Sequence, residues 1–316
     1  MFSRALVTIW AAGFLGTAPA HERAAFWIDM ALGEPVSSEV MLEDLVEVDV
    51  VYLGETHRLE RHHRLQAELV RGLAGSGRPL ILGMEQIEAR DQEKVDAFNA
   101  GTLDFDGLAE AIKWNEQWNN YADYRGIIEV VRKANGRVVG LNGPREVIRS
   151  VGRKGIAGLS QEERAQLPEN IFLEDPVYEK LMKTLLLVHM TMEKGFLRNV
   201  YEAQAARDES MAAALEKAWL SAAETADRRK PIAIVICGTG HCQFGLGTPD
   251  RVRRRLKGTH DRIVLMSESG DLELTKAEKA MKRDIVIRHR DLKFIRRPLA
   301  DYLHAMEPKP EEAGTR

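Results

Sequence analysis

Two apolar runs that each end in a Gly-x-x-His turn constrain this chain more than any other feature. Val48 to Leu53 leads into Gly54-Glu55-Thr56-His57, and Ile232 to Cys237 leads into Gly238-Thr239-Gly240-His241. A short apolar run that stops at glycine reads as a strand covered on both faces, the pattern of a parallel sheet between helices. In such sheets ligands bind beyond the carboxyl ends of the strands. A histidine three residues past each run can therefore reach one crevice from two sides. Among 25 glycines and nine histidines, one such spacing says little. Two of them, each closing a strand, say more.

The remaining pattern fills in around these runs. Leu80 to Met84, Arg137 to Leu141 and Arg262 to Ser267 read as further strands, with Ile285-Val286-Ile287 as a late one. Residues 23 to 47 read as a helical or irregular lead-in. Between the first two strands, Glu60 to Gly75 places Leu65, Leu69, Val70 and Leu73 on one helical face. Gly75-Ser76-Gly77 stops it before Pro79, which predicts a βαβ unit with a right-handed crossover. Helical patterns fill residues 88 to 135, broken near Gly101-Thr102 and Asn119-Asn120, with Asp104 placed to cap one helix. They resume through Gly158, pause from Pro168 to Pro176, and run from Val177 to about Thr225. The expectation is an α/β three-layer sandwich with a mostly parallel sheet of four to six strands. A large helical insertion occupies about 88–135 and 144–230 of a single domain, 21–306. Residues 307–316 (EPKPEEAGTR) read as a disordered tail.

Composition narrows the function classes. A net charge of -3 over 316 residues gives no bulk attraction to nucleic acid or anionic lipid, so neither is expected as a partner. The basic clusters Arg251 to Lys257 and Lys282 to Arg297 read as solvated charge. Residues 1–20 form a separate unit: Arg4, an apolar stretch from Ala5 to Gly16, then Thr17-Ala18-Pro19-Ala20. That is the layout of a secretory signal peptide cleaved after Ala20, and it is too short to serve as a transmembrane helix. The location it implies is periplasmic or secreted; a frayed helix on a cytoplasmic protein is the alternative. The two cysteines, Cys237 and Cys242, cannot make a disulfide framework. Both read as buried thiols, with Cys242 a possible soft metal ligand beside His241.

Polar chemistry gathers where the strands end. Glu55 and His57 follow the first strand, with His62 and His63 on the next helix. Glu85 ends the second within Gly83-Met84-Glu85-Gln86, Asn142-Gly143-Pro144-Arg145-Glu146 ends the third, and His241 follows the fourth. Imidazole and carboxylate oxygen suit zinc, manganese or iron, and a solvated carboxylate can act as a general base. Taken singly, each has a bland explanation: a glutamate at a helix start suits the dipole, and Arg145 can simply pair with a neighbouring acid.

These motifs resemble ChaN-type haem-binding uptake proteins, of the superfamily that also holds Tiki proteases, TraB proteins and erythromycin esterases. The resemblance rests on Leu53-Gly-Glu-Thr-His57, His62-His63-Arg-Leu-Gln66, Gly83-Met-Glu-Gln86, Trp118-Asn-Asn-Tyr121 and Asn142-Gly-Pro-Arg-Glu146. It continues through Tyr201-Glu-Ala-Gln-Ala-Ala-Arg-Asp-Glu209, Gly238-Thr-Gly-His241 and Gly245-Leu-Gly-Thr-Pro-Asp250, in order over about residues 45 to 256. It implies haem held at the interface of a homodimer, with a tyrosine on the iron and a histidine assisting from the second subunit. Tyr201 is the favoured tyrosine, with Tyr121 and Tyr124 behind it. His62 and His63 are candidate haem contacts, His189 a possible axial ligand, and Arg145 or Arg207 possible partners of the propionates. In Tiki-like relatives the same turns carry metal-dependent hydrolysis. Carried over, His57, His241 and Glu85 would hold a divalent metal and Glu55 would stand near the attacking water. Two departures stand out: no cysteine follows the signal to anchor a lipid, and Cys242 replaces the plain apolar residue expected after the second turn.

The function expected is thus haem binding in uptake or storage in the periplasm. The alternative is a metal-dependent hydrolase of a peptide or ester, and a third is a scaffold whose strand-end residues only stabilise helix starts.

Overall fold

The computed structural model describes residues 25–187, 194–225, 230–266 and 289–306. The expected signal peptide, His189, the late strand at 285–287 and the tail at 307–316 lie outside them. Eight strands form one sheet: β1 (Ala25–Asp29), β2 (Glu34–Val36), β3 (Val50–Glu55), β4 (Leu80–Glu88), β5 (Arg137–Asn142), β6 (Ile232–Gly238), β7 (Asp261–Met266) and β8 (Tyr302–Met306). Their order across the sheet is β2-β1-β8-β7-β3-β6-β4-β5. β8 through β5 run parallel, while β1 and β2 complete one edge antiparallel.

Alternation along the central strands supplies two cores, as a pleat with period two requires. On one face Val51, Leu53, Leu82, Met84, Ile234 and Ile236 pack with residues of α1 (Ser38–Leu45), α2 (Glu60–Ala74) and α6 (Arg125–Lys133). On the other, Tyr52, Ile81, Val139, Val235 and Leu265 meet Met211, Leu215 and Trp219 of α10 (Lys194–Thr225) and Val252 of α11 (Thr248–Arg255). Helix, sheet and helix make the three layers. Between β4 and β5 the chain also forms α3 (Gln92–Asn99), α4 (Phe105–Ala111) and the short α5 (Trp114–Gln117). Asp104 caps α4 through the amide of Gly107, as its position predicts. Between β5 and β6 lie α7 (Arg145–Lys154), α8 (Gln161–Arg164), α9 (Pro176–Leu187) and α10.

Three differences from the sequence reading have physical causes. The lead-in contributes strands β1 and β2 before α1, and β8 joins them. These strands are three to five residues long and partly exposed at the edge, so they lack the apolar run that marks a central strand. The first crossover does not place its strands side by side, because β6 lies between β3 and β4. Finally, β4 continues past Met84 to Glu88 through a bulge. Met84 pairs with Gly140 and Glu88 with Asn142, so three residues of β4 oppose Leu141 alone. A bulge bends the strand and re-aims its side chains. The close approach needs Gly140, where a Cβ would lie 2.6 Å from the Glu88 carbonyl oxygen. Glu85 and Gln86 sit inside this bulge.

Candidate functional site at the strand ends

The carboxyl ends of β3, β4, β5 and β6 converge on a crevice of about 350 Å³. His57, Glu85, Gln86, Trp118, Arg145 and Arg207 line it, with Asn142 and Glu88 between them. His57, Glu85 and His241 are brought together, but only His57 and Glu85 line the crevice, His241 being buried behind them. They meet as ion pairs: Glu85 Oε1 lies 3.3 Å from His241 Nε2, and Glu85 Oε2 lies 3.9 Å from His57 Nε2. The backbone N–H of Gly238 donates to Glu85 Oε2 at 2.8 Å. Burial raises the Glu85 carboxyl, but the two imidazoles outweigh it and hold the group well below the usual carboxylate range.

The two histidines differ sharply in surroundings. His57 Nδ1 bonds Glu55 Oε1 at 2.8 Å, its ring stands edge-on to Trp118 at 4.8 Å, and part of it faces the crevice. His241 is buried. Its Nδ1 lies 2.7 Å from Asp208 Oδ1, and the amide of Gln204 stands 3.0 Å away. Burial would lower its pKa; the carboxylates of Glu85 and Asp208 overcome that and raise it to about 10. Asp208 is itself fixed by Thr248 and Tyr178 hydroxyls at 2.8 and 2.7 Å.

Glu55 is not the solvated carboxylate expected of a general base. It is buried and absent from the crevice wall. It accepts hydrogen bonds from His57, from Gln86 at 3.0 Å and from the Tyr124 hydroxyl, and it ion-pairs with His63 at 3.4 Å. Burial raises it, while the His57 and His63 contacts bring it down to about 2. Its role is to orient His57 and hold its charge. Tyr124 moves the other way: burial, then the adjacent Glu55 charge, raise its pKa well above the ordinary value.

Several expected contacts fall elsewhere. His62 and His63 are buried on the inner face of α2 rather than presented to a ligand. His62 Nδ1 accepts from the Thr56 amide at 3.0 Å, and His63 packs against Tyr124 between Glu55 and Asp123. Tyr201 is not brought to the crevice. It is wholly buried beside Tyr178, and its hydroxyl donates to the Leu173 carbonyl. Cys242 is buried as well, its sulfur 3.8 Å from the Thr239 carbonyl oxygen. The expected metal set of His57, His241 and Glu85 is likewise corrected. Among the described residues, no group of three or more His, Cys, Asp or Glu side chains is disposed to hold a metal ion. The reason is local: both nitrogens of His241 face carboxylates, and His57 Nδ1 is committed to Glu55.

Sequence reasoning missed Asp208, Gln204 and Tyr124 as members of this network. The first two lie inside the Tyr201–Glu209 motif, four residues apart and so on one helical face. Only the docking of α10 across the sheet shows that this face meets His241.

Fold and site define an α/β protein with a strand-end crevice built on two Gly-x-x-His turns. The chain belongs to the family described as Haem-binding uptake, Tiki superfamily, ChaN, whose model matches residues 41–252. The structure described as cofacial heme binding to ChaN of Campylobacter jejuni shares the fold at a TM-score of 0.64. It is 20% identical and the match covers 91% of this chain and 98% of that one. An erythromycin esterase mutant, EreC in its open conformation, aligns at a TM-score of 0.43 and 11% identity over 89% of this chain and 83% of its own, too distant to bear on this chain. Among curated proteins, RETICULATA-RELATED 5, chloroplastic, of Arabidopsis thaliana is 24% identical over 255 residues, 74% of this chain. This chain spans about a third (34%) of that relative's length.

Haem needs an iron donor with access to it. Of the six tyrosines, Tyr52, Tyr124, Tyr178, Tyr201 and Tyr302 are buried, and Tyr121 keeps part of its surface exposed. Its ring stacks on Phe105 and tilts against Trp114, and it lines a depression of about 410 Å³ together with Lys113 and the acids Asp106, Glu110 and Glu116. Of the six phenols it is the one that is not fully buried. Among the described residues, no helix is long and apolar enough to cross a membrane.

Proposed function

We propose that this protein binds haem for uptake or storage, with Tyr121 as the iron donor. Membership of a haem-binding family supports the ligand, and the partial exposure of Tyr121 supports the choice of residue. Tyr201 would need its helix to move before it could reach iron; Tyr121 would not. Tyr121 would supply an oxygen donor to the iron, and Phe105 and Trp114 would hold its ring in place. A second copy of the chain would cover the other face of the porphyrin. Residues 1–20, read as a signal peptide, would direct the protein to the periplasm.

Hemin titration followed by absorbance and light scattering tests this. The wild type should show a saturable Soret shift with an increase in mass. Tyr121→Phe should lose the shift, and Tyr201→Phe should keep it. The reverse pattern removes Tyr121 from the assignment, and no shift in wild type removes haem binding.

Metal-dependent hydrolysis is the weaker second reading: His57 and Glu85 share the crevice wall, but the ion pairs described above occupy the atoms that would hold a metal. It requires a divalent ion to break the pairs described above. Purified protein that gains no thermal stability from zinc or manganese would end it, since a ligand bound to the native state alone raises apparent stability.

A further inference from the structure

We propose that the strand-end crevice binds a small organic acid bearing hydroxyl groups beside its carboxylate or phosphate. The inference is independent of haem binding and concerns polar atoms that the protein itself leaves unanswered. Arg207 lies in the crevice wall with its Nε buried and unbonded, and among the described residues no hydrogen bond or ion pair meets its guanidinium. The Arg145 guanidinium, at the mouth, makes a single long contact of 3.4 Å to the Gln117 carbonyl oxygen. Glu85 feels the charge of Arg207 across the crevice, but no acid makes direct contact with either guanidinium among the described residues. Glu85 is taken up by His241 and the Gly238 amide, and Glu88 by the Arg145 amide at 3.0 Å and Arg90 at 2.6 Å. Two guanidinium forks in one small hollow are matched by an oxyanion.

The same wall also carries acceptors that lack donors. Gln86, only 1% exposed, spends its amide nitrogen on Glu55, and Asn142 spends its own on the Glu85 carbonyl at 2.9 Å. Those bonds fix which end of each amide is free, and Gln86 Oε1 and Asn142 Oδ1 are left buried without a hydrogen bond. A buried acceptor left unmade is costly, so the complementary ligand brings hydroxyl donors. About 350 Å³ sits at the low end of the roughly 300–1,000 Å³ usual for ligand pockets, which suits a small molecule. Trp118 offers one flat apolar wall to its carbon skeleton.

Isothermal titration with glycerate, glycerol 3-phosphate, acetate, inorganic phosphate and glycerol tests the proposal. Glycerate or glycerol 3-phosphate should bind roughly tenfold or more tightly than the simple anion of the same charge type and than glycerol. Which of the two binds identifies the anion. Arg207→Gln should weaken that binding by a similar factor while the melting temperature holds. If Arg207→Gln does not fold, Arg207→Lys keeps the charge without the fork and should weaken it several-fold. Affinity no better than that of acetate, phosphate or glycerol, or affinity unchanged by loss of the Arg207 fork, overturns the proposal.

Discussion

The two Gly-x-x-His turns share spacing and position after a strand, yet the structure uses them in opposite ways. His57 keeps 31% of its side chain exposed, touches Trp118 and faces the crevice. His241 keeps 6% and is held by Glu85 and Asp208, with Gln204 over its ring. Spacing decides where a side chain starts; what packs over it decides whether it meets a ligand. α10 covers the second turn, whereas the first is met by the segment around Trp118, by His62 of α2 and by the second turn itself, which leave part of His57 open. One turn presents a group and the other anchors it through the carboxylate they share.

Removing each imidazole in turn gives the strongest test of that contrast. His241→Ala leaves Glu85 and Asp208 buried without their cation, which should cost about 3–5 kcal/mol in urea unfolding. His57→Ala takes one partner from buried Glu55 but leaves it Gln86, Tyr124 and His63, so it should cost about 1–3 kcal/mol, less than His241→Ala. Equal losses would mean that both turns are structural.

The gap between wild type and His241→Ala should also depend on pH. His241 is raised from 6.5 to about 10 in the folded protein. A raised folded-state pKa contributes stability that is whole below the unfolded value and disappears as pH climbs through the folded one. The difference in unfolding free energy should therefore shrink between about pH 6.5 and about 10, and a constant difference would show that His241 is not protonated as described. Glu55 gives the acid counterpart: held at about 2, its contribution is present above 4.5 and lost as pH falls toward 2.

Glycines sharpen the comparison at a smaller scale. A Cβ on Gly54 would lie 2.3 Å from Leu265 Cδ2 and 2.7 Å from Cys242 Sγ, so Gly54→Ala should cost about 1–3 kcal/mol by overpacking. Gly240, which stands where the first turn has Thr56, meets nothing within 4 Å, and Gly240→Ala should stay within about 0.5 kcal/mol. Thermal melts of the two variants check both.

Much of this was written in the chain. The central strands were legible because burial on both faces makes them continuously apolar, and their closing glycines gave the crevice away. That His57, Glu85 and His241 sit at neighbouring strand ends was legible; that they pair with one another rather than hold a metal was not. The bulge in β4 was not legible, since Glu85-Gln86 after an apolar run looks like a strand's end. Burial of His62 and His63 was hidden because imidazoles at a helix start ordinarily face water, and only the tertiary approach of Glu55 and Asp123 gives His63 a reason to turn inward. Tyr201 was misplaced for a similar reason: a motif reports that a residue matters, not whether it faces a ligand or a core.

The place of β6 between β3 and β4 has a consequence for how the protein is made. The strand that fills the middle of the sheet emerges from the ribosome long after both of its neighbours. Until then β3 and β4 carry apolar edges with no partner, the kind of exposed surface that invites wrong pairing in a nascent chain. Native closure waits on contacts distant in sequence, which are slow to form. Assembly in the cell therefore favours whatever shields those two edges until residue 238 has been added.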